Sequence, residues 1–180
     1  GSMLLANKNF AKGYEHYRHR IQQDQYTQYL LKQKKPIWQG EDLAGKRILV
    51  CADGGYGNII QFARYLHLFQ QYNCEVIFAC PIEIQHLFEN SEGVYEMISP
   101  EEKYENYDYW IALGDLPFLL TRDLLEECPV PVNIKINENK LQEWEMLLGV
   151  DEKIKIGLCW QGDPNNPRDY FNSQDLSMFK

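Results

Sequence analysis

The sequence has no apolar run long enough to cross a bilayer. A membrane-spanning helix needs about 20 predominantly apolar residues in succession, and no stretch of the 180 residues approaches that length. No secretory signal is visible at the start of the chain either. We therefore expect a protein without a transmembrane segment.

Cysteine and histidine are too few and too irregularly spaced for a recognisable metal site. The chain has five cysteines and four histidines, and none of them forms a C-x-x-C or H-E-x-x-H ligand pattern. An odd number of cysteines fits a reducing compartment better than a disulfide framework. We therefore predict reduced thiols, no metal and a cytoplasmic location.

The sequence also has no excess of positive charge, no internal repeat and no low-complexity segment. Its formal net charge is −8, whereas nucleic-acid-binding proteins favour basic patches, so we expect no nucleic-acid partner. The apolar content of 44% and the charged content of 24% are those of an ordinary globular protein. A chain of this length is long enough for one domain with a real core.

Short apolar runs alternate with helical patterns from Arg47 onward. This alternation predicts an α/β fold, a Rossmann-like three-layer parallel sheet with helices on both faces. Ligands of such sheets bind at the carboxyl ends of the strands. The predicted strands are residues 47–52, 75–80, 94–98, 107–113, 132–136 and 153–160, and the predicted helices are residues 58–72, 82–90, 116–127 and 138–148.

An N-terminal helical segment precedes the predicted sheet. Its pattern predicts a helix from about residue 7 to residue 33, with one apolar stripe formed by Phe10, Tyr14, Tyr17 and Ile21. We expect this stripe to be buried, or to support self-association if it is exposed. We divide the chain into a tag remnant with the start Met (1–3), the helical segment (4–36), a connector (37–46), the Rossmann-like domain (47–162), and a loop with the start of a truncated helix (163–180).

A glycine-rich turn joins the first predicted strand to the helix that follows it. Gly55, Gly57 and Asn58 lie at this junction, where glycine allows close approach of a ligand and the first helical N–H groups attract anions. Asn58 would equally well serve as a helix cap. A dinucleotide fingerprint would need glycine in place of Ile60 and an acid about 20 residues later, and the chain has neither. A G-K-[ST] motif is also absent, so we expect no cofactor.

Four blocks of sequence resemble a known family in the expected order. They are FAKGYEHYRHR (10–20), WQGEDLAGK (38–46), GYGNIIQFARY (55–65) and IGLCWQGDP (156–164). Together they resemble the N-terminal half of the GT-B glycosyltransferase region in bacterial tetratricopeptide-repeat glycosyltransferases. That family is similar to lipopolysaccharide heptosyltransferases and, more distantly, to O-linked N-acetylglucosamine transferases.

The resemblance implies an enzyme with two Rossmann-like domains that face each other across a cleft. This chain would be the acceptor-side domain of an inverting enzyme, inactive alone because the donor domain is missing, and the helical segment 4–36 would be the end of a helical-repeat region. The partners implied are a nucleotide-sugar donor and an unknown acceptor, which is a saccharide, a lipid-linked saccharide or a protein. Two alternatives are a catalytically inert interaction module derived from such an enzyme and a generic nucleotide-binding Rossmann domain.

The resemblance also implies site residues. Asn58 stands where heptosyltransferase relatives carry the Asp that is the candidate general base, and an amide cannot accept a proton as a carboxylate does. Asp53, just upstream, is the alternative base, although a structural role is also open to it. The ligand-binding candidates are Gly55, Tyr56, Gly57, Gln61, Trp160, Gln161 and Gly162.

Overall fold

Four parallel strands form the sheet of the computed structural model. They are β1 Arg47–Cys51, β2 Glu75–Ala79, β3 Glu96–Ile98 and β4 Tyr109–Ala112. The structure describes residues 1–22, 30–89, 91–120, 134, 136–149, 154–162 and 173–179. These residues belong to two units, Gly1–Asn137 and Glu138–Lys180, and the sheet lies in the first.

The strand order is β3-β2-β1-β4, so β1 is central and pairs in parallel with both β2 and β4. The chain proceeds outward in one direction from β1 to β3 and then returns to the other side of β1. This order places a topological switch point between β1 and β4, the position where ligands of open α/β sheets commonly bind. The predicted α/β, Rossmann-like fold is confirmed.

Alternate side chains of the strands enter two apolar clusters, one on each face of the sheet. Ile48 and Val50 belong to the first cluster, and Leu49 and Cys51 belong to the second. This period of two is the expected geometry of a strand that is covered on both faces. The first cluster also contains buried aromatic side chains from outside the strands, among them Trp38, Tyr65, Phe69 and Phe88.

The N-terminal segment is broken into short helices, so the predicted continuous helix is wrong. α1 Ser2–Ala6 and α2 Phe10–Tyr17 are followed by a 3-10 helix, Arg18–Gln22. The first break lies at Lys8, whose φ is 58°, because backbone bonds back to α1 close a turn there. Residues 23–29 of the predicted helix lie outside the described residues.

The predicted apolar stripe is divided between the two faces of the sheet. Tyr14 packs in the first cluster with Phe10 and Tyr17 beside it, whereas Ile21 packs in the second. The segment therefore crosses an edge of the sheet between Tyr17 and Ile21. The apolar side chains of the stripe pack on this domain, as expected for a buried stripe. Self-association through the stripe stays a prediction.

Two of the helices on the sheet begin at the predicted residues, 82 and 116, whereas the helix predicted from residue 58 begins at Tyr56. α3 Tyr56–Ala63 is followed by a 3-10 helix, Leu66–Tyr72, in place of one continuous helix. α4 Ile82–Gln85 is a single turn, and α5 Leu116–Leu120 ends at the limit of the described residues. The 3-10 helix ends at Asn73, where a left-handed backbone returns the chain to β2.

The second unit contains α6 Glu138–Leu148, as predicted, and a 3-10 helix, Leu176–Phe179. The strand predicted at 153–160 is wrong, since the described residues 154–160 form no strand. Ile154 and Ile156 of this run are exposed, because alternating apolar residues form a strand only when another strand pairs with them. The strand predicted at 132–136 lies mostly outside the described residues.

No helix in the part of the chain that the structure describes is both long and apolar enough to span a membrane.

Candidate functional site

The glycine turn, residues 53–58, lies at the carboxyl end of β1. Gly54 has a φ of 80°, a left-handed conformation that glycine adopts without steric cost. Gly55 is the N-cap of α3, and its carbonyl accepts the backbone N–H of Asn58 (2.9 Å) and of Ile59 (3.1 Å). Residues 54–58 are all exposed, so the predicted ligand residues Gly55, Tyr56 and Gly57 face solvent.

Asn58 is the third residue of α3 and does not cap the helix, so the capping alternative is wrong. The cap position belongs to Gly55, and no side-chain cap hydrogen bond is present among the described residues. The Asn58 amide instead lies over Gly54, where an added β-carbon would be 2.7 Å from Nδ2. Such an exposed amide can donate to or accept from a ligand hydroxyl, but it cannot remove a proton as a carboxylate can.

Asp53 is buried, and both of its carboxylate oxygens have partners. Oδ1 accepts the backbone N–H of Gly114 (2.8 Å), and Oδ2 accepts Nε–H of Arg20 (2.7 Å). Its side chain is 4% exposed. This geometry favours a structural role for Asp53 and leaves little carboxylate surface for an acceptor hydroxyl. Its assignment as the general base stays a prediction.

Arg20 joins Asp53 to Asp115 at the switch point between β1 and β4. Its Nη1 lies 2.5 Å from Asp115 Oδ1, and its Nη2 lies 2.7 Å from Asp53 Oδ2. Burial by itself would lower the pKa of Arg20, but the two carboxylates raise it, so the guanidinium stays charged. Burial raises the pKa of Asp115, and Arg20 followed by Arg18 opposes that rise.

This buried ion cluster occupies the crevice where a Rossmann-like sheet commonly holds its ligand. Asp53 follows β1, Asp115 follows β4, and Arg20 enters between them from the 3-10 helix of the N-terminal segment. The guanidinium also packs over the Tyr17 ring, 4.4 Å from its centroid. The segment therefore crosses the carboxyl edge of the sheet at this point.

An open cleft of about 720 Å³ lies on the other side of the glycine turn, along the ends of β1, β2 and β3. Its volume is within the range of small-molecule sites. Ala52 and Gly54 follow β1, Pro81 follows β2, and Pro100 follows β3. The polar side chains that line it are Lys32, Gln33, Glu101 and Lys103. A hydrogen bond with Ser99 lowers the pKa of Glu101, which is therefore a carboxylate at neutral pH.

The remaining predicted ligand-binding residues do not line this cleft. Gln61 belongs to the first unit, and the other three belong to the second. Gln61 is exposed on α3, and its backbone carbonyl accepts Nε–H of Arg64 (2.8 Å). Trp160, Gln161 and Gly162 belong to the second unit. Within that unit, the carbonyl of Trp160 accepts the N–H of Gln174 (2.8 Å), and the N–H of Gly162 donates to Ser173 Oγ (2.8 Å).

Sequence reasoning missed the polar lining of the cleft and two members of the ion cluster. Glu101 and Lys103 follow a predicted strand closely, so the rule that ligands meet strand ends could have identified them. Asp115 could have been found in the same way. Arg20 gives no such signal, because its partners lie 33 and 95 residues away in sequence.

Comparisons with known proteins give one similarity. No protein-family model matches the chain, and no solved structure matches it. The chain is similar to the protein FlbA of Caulobacter vibrioides, with 26% identity over 184 residues that cover 89% of this chain and 30% of FlbA. The chain thus spans about a third of the length of that relative. The name FlbA states no activity, so no function passes to this chain from it.

Proposed function

We propose that this chain is the acceptor-side N-terminal domain of an inverting GT-B glycosyltransferase that uses a nucleotide-sugar donor. In this proposal a second, donor-binding domain completes the site, and the 180-residue chain alone does not catalyse transfer. The proposed compartment is the cytoplasm, where free thiols such as Cys51, Cys74, Cys80 and Cys159 persist.

One observation carries the proposal: the exposed glycine turn borders an open cleft at the carboxyl edge of a parallel sheet. The turn contributes Gly54, and the ends of the neighbouring strands contribute Pro81 and Pro100. The hydroxyl groups of a saccharide both donate and accept, so they suit the acceptor oxygens of Gln33 and Glu101 and the donor ammonium groups of the lysines in this cleft. The cleft is therefore proposed to hold the acceptor, with its reacting hydroxyl near the glycine turn.

The proposed reaction needs a base for the acceptor hydroxyl, which attacks the anomeric carbon of the donor as the nucleoside diphosphate leaves. Asn58 is proposed to orient that hydroxyl, because its amide is exposed at the turn. Glu101 is the acidic residue that lines the cleft, and the second domain is another source of a base. Asp53 remains a candidate that would have to leave its two present partners.

A second candidate function is a catalytically inert interaction module with the same fold. The observation that favours it is the engagement of Asp53 with Arg20 and Gly114, together with an amide at position 58. A turn that has lost its proton acceptor can still bind a ligand or partner, but it cannot catalyse an inverting transfer through these residues.

The deciding experiment expresses the protein at its natural length and measures sugar transfer from a panel of labelled nucleotide sugars, with sugar release to water as the second readout. Transfer or hydrolysis supports the enzyme, and the absence of both across the panel supports the inert module. Among variants, Asn58→Asp should raise the rate if the base has been lost from the turn.

Asp53→Asn and Glu101→Gln then assign the base. Loss of activity with Glu101→Gln alone assigns the proton acceptor to the cleft. Loss with Asp53→Asn, measured at a temperature at which circular dichroism shows the variant still folded, assigns it to the turn. Gln85→Ala on α4 is the control variant, because Gln85 does not line the cleft. Its amide donates to the carbonyls of Cys80 and Ile98 (both 3.0 Å), so the variant shows how much activity is lost when a nearby hydrogen bond is removed.

A further inference from the structure

We propose that Arg20 is a positioning residue for the glycine turn. Its guanidinium fixes Asp53, and with it the start of the turn, against the carboxyl end of β4. The N-terminal helical segment is thereby part of the candidate site. The inference deepens the proposed function in one respect only, since it names a residue that shapes the proposed acceptor site, and its test uses neither ligand nor activity.

The position of Asp53 explains why one ion pair acts on the whole turn. Asp53 immediately precedes Gly54, the left-handed residue at which the chain leaves β1. Its Oδ1 is bonded to the Gly114 N–H beyond β4, and its Oδ2 is bonded to Arg20. Two directions of the carboxylate are therefore fixed, and the backbone that continues into α3 starts from a fixed point.

Gly114 shows how closely the guanidinium is fitted. A β-carbon on Gly114 would lie 2.6 Å from Arg20 Nη2 and 3.0 Å from Cζ, so only glycine leaves room for the guanidinium at this place. Nη2 has no well-aligned hydrogen bond among the described residues, although it lies close to Asp53. The guanidinium is therefore held by close packing against Gly114 as well as by its ion pairs with Asp53 and Asp115.

Charge balance makes Arg20 necessary for the arrangement. The groups around Asp53 are Arg20, which pairs with it, Asp115 from the end of β4, which Arg18 faces in turn, and the Cys51 thiol, which stays neutral because burial raises its pKa. Without Arg20, two buried carboxylates would share Arg18, which lies 3.5 Å from Asp115. Like charges in a buried site repel unless one takes up a proton.

The test is hydrogen exchange of backbone amides by NMR on the full 180-residue chain, expressed as protection factors. In Arg20→Met, we expect the amides of Gly114, Asn58 and Ile59 to exchange at least about tenfold faster, because their hydrogen-bond acceptors, Asp53 and Gly55, belong to the turn that opens locally. Amides of the β1–β2 ladder should keep their wild-type protection. Arg47→Met is the matched control: like Arg20, Arg47 pairs with a carboxylate, Glu75 (2.6 Å), but it lies at the start of β1, the end of the strand opposite to the glycine turn.

A pH profile separates positioning by charge from a loss of packing. In Arg20→Met, the protection of the turn should fall as the pH rises, because Asp115, whose pKa burial raises and Arg20 no longer lowers, then ionises beside Asp53. In the wild-type protein, the protection of the turn should not change with pH. Arg20→Lys keeps a positive charge at this position and should also give protection that does not change with pH. Loss of the packed side chain alone would lower protection equally at every pH.

Two results overturn the proposal. One is wild-type protection of the turn in Arg20→Met, and the other is equal acceleration at every amide of the chain. If Arg20→Met does not fold, Gly114→Ala gives the same decision, since its added methyl displaces the guanidinium without changing the charge. Absence of transferase activity refutes the proposed enzyme and leaves this inference standing, whereas unchanged exchange refutes this inference alone.

Discussion

The backbone N–H of Trp38 donates to the carbonyl of Trp110 (2.9 Å), which joins the connector to β4. The N–H of Trp110 donates in turn to the carbonyl of Pro36 (3.1 Å), and Ile37 forms a parallel bridge with Trp110. The connector therefore covers part of the outer edge of the sheet, where unpaired backbone groups would otherwise remain. It also delivers the Trp38 indole into the first apolar cluster.

Replacement of Trp38 by Ala should lower the free energy of unfolding by about 3–5 kcal/mol, the usual cost of deleting a large buried aromatic side chain. The indole is 1% exposed, contacts Phe69 and Tyr72, and donates Nε1–H to the carbonyl of Glu41 (2.8 Å). Urea unfolding followed by circular dichroism measures the change. Trp144→Ala on α6 is the control, since Trp144 is 57% exposed; equal losses in the two variants would contradict the assigned core.

The left-handed glycine of the turn gives a second prediction. Gly54→Ala should cost more stability than Gly45→Ala, although both glycines have positive φ values (80° and 68°). Either substitution costs about 1–2 kcal/mol for the left-handed backbone. At Gly54 the new methyl would also meet the Asn58 amide at 2.7 Å, whereas nothing lies within 4 Å at Gly45.

Urea unfolding gives the difference between these two variants, and the NMR signals of the Asn58 side-chain amide report its displacement. Those signals should shift in Gly54→Ala and stay in place in Gly45→Ala. Identical unfolding free energies with unshifted Asn58 signals would show that the amide does not lie over Gly54.

The strands and the glycine turn could be predicted because their signals are local. β1 and β2 are continuous apolar runs, as expected for central strands buried on both faces. α6 follows its own periodicity and is found where its pattern predicts. The failures are elements that tertiary contacts decide. The pattern at 153–160 is that of a strand, but the described residues 154–160 pair with no strand.

The candidate site was predictable only in part for the same reason. The glycine turn is contiguous in sequence, so its place at the end of β1 follows from the pattern. The pairing of Asp53 with Arg20 does not follow from any local pattern, because Arg20 reaches Asp53 only after the helical segment crosses the edge of the sheet. A helix periodicity gives no indication of that crossing, and the stripe from Phe10 to Ile21 therefore appeared to belong to one surface.

Thiol reactivity should follow burial. Burial raises the pKa of Cys80 to about 12 and raises that of Cys51 further, so neither should form a thiolate near neutral pH. Cys159 is exposed and Cys74 is half-buried. Labelling with iodoacetamide, followed by peptide mass spectrometry, should modify Cys159 first, then Cys74, and Cys51 and Cys80 only in denaturant. Rapid labelling of Cys51 in the native protein would contradict its burial in the core at the end of β1.

The two aspartates at opposite ends of the sheet should respond very differently to neutralisation. Asp53→Asn leaves Arg20 with one of its two carboxylate partners in a buried site, so we expect a loss of about 3–5 kcal/mol of unfolding free energy. Asp108→Asn is the control, because Asp108 accepts the Arg47 N–H (2.9 Å) and lies 4.0 Å from Lys46 in an exposed pair. It should cost about 1 kcal/mol or less.

Urea unfolding of both variants near pH 7 measures these costs. A loss for Asp53→Asn no larger than that for Asp108→Asn would show that the ion cluster does not stabilise the fold. Asp53 would then be favoured again as the general base.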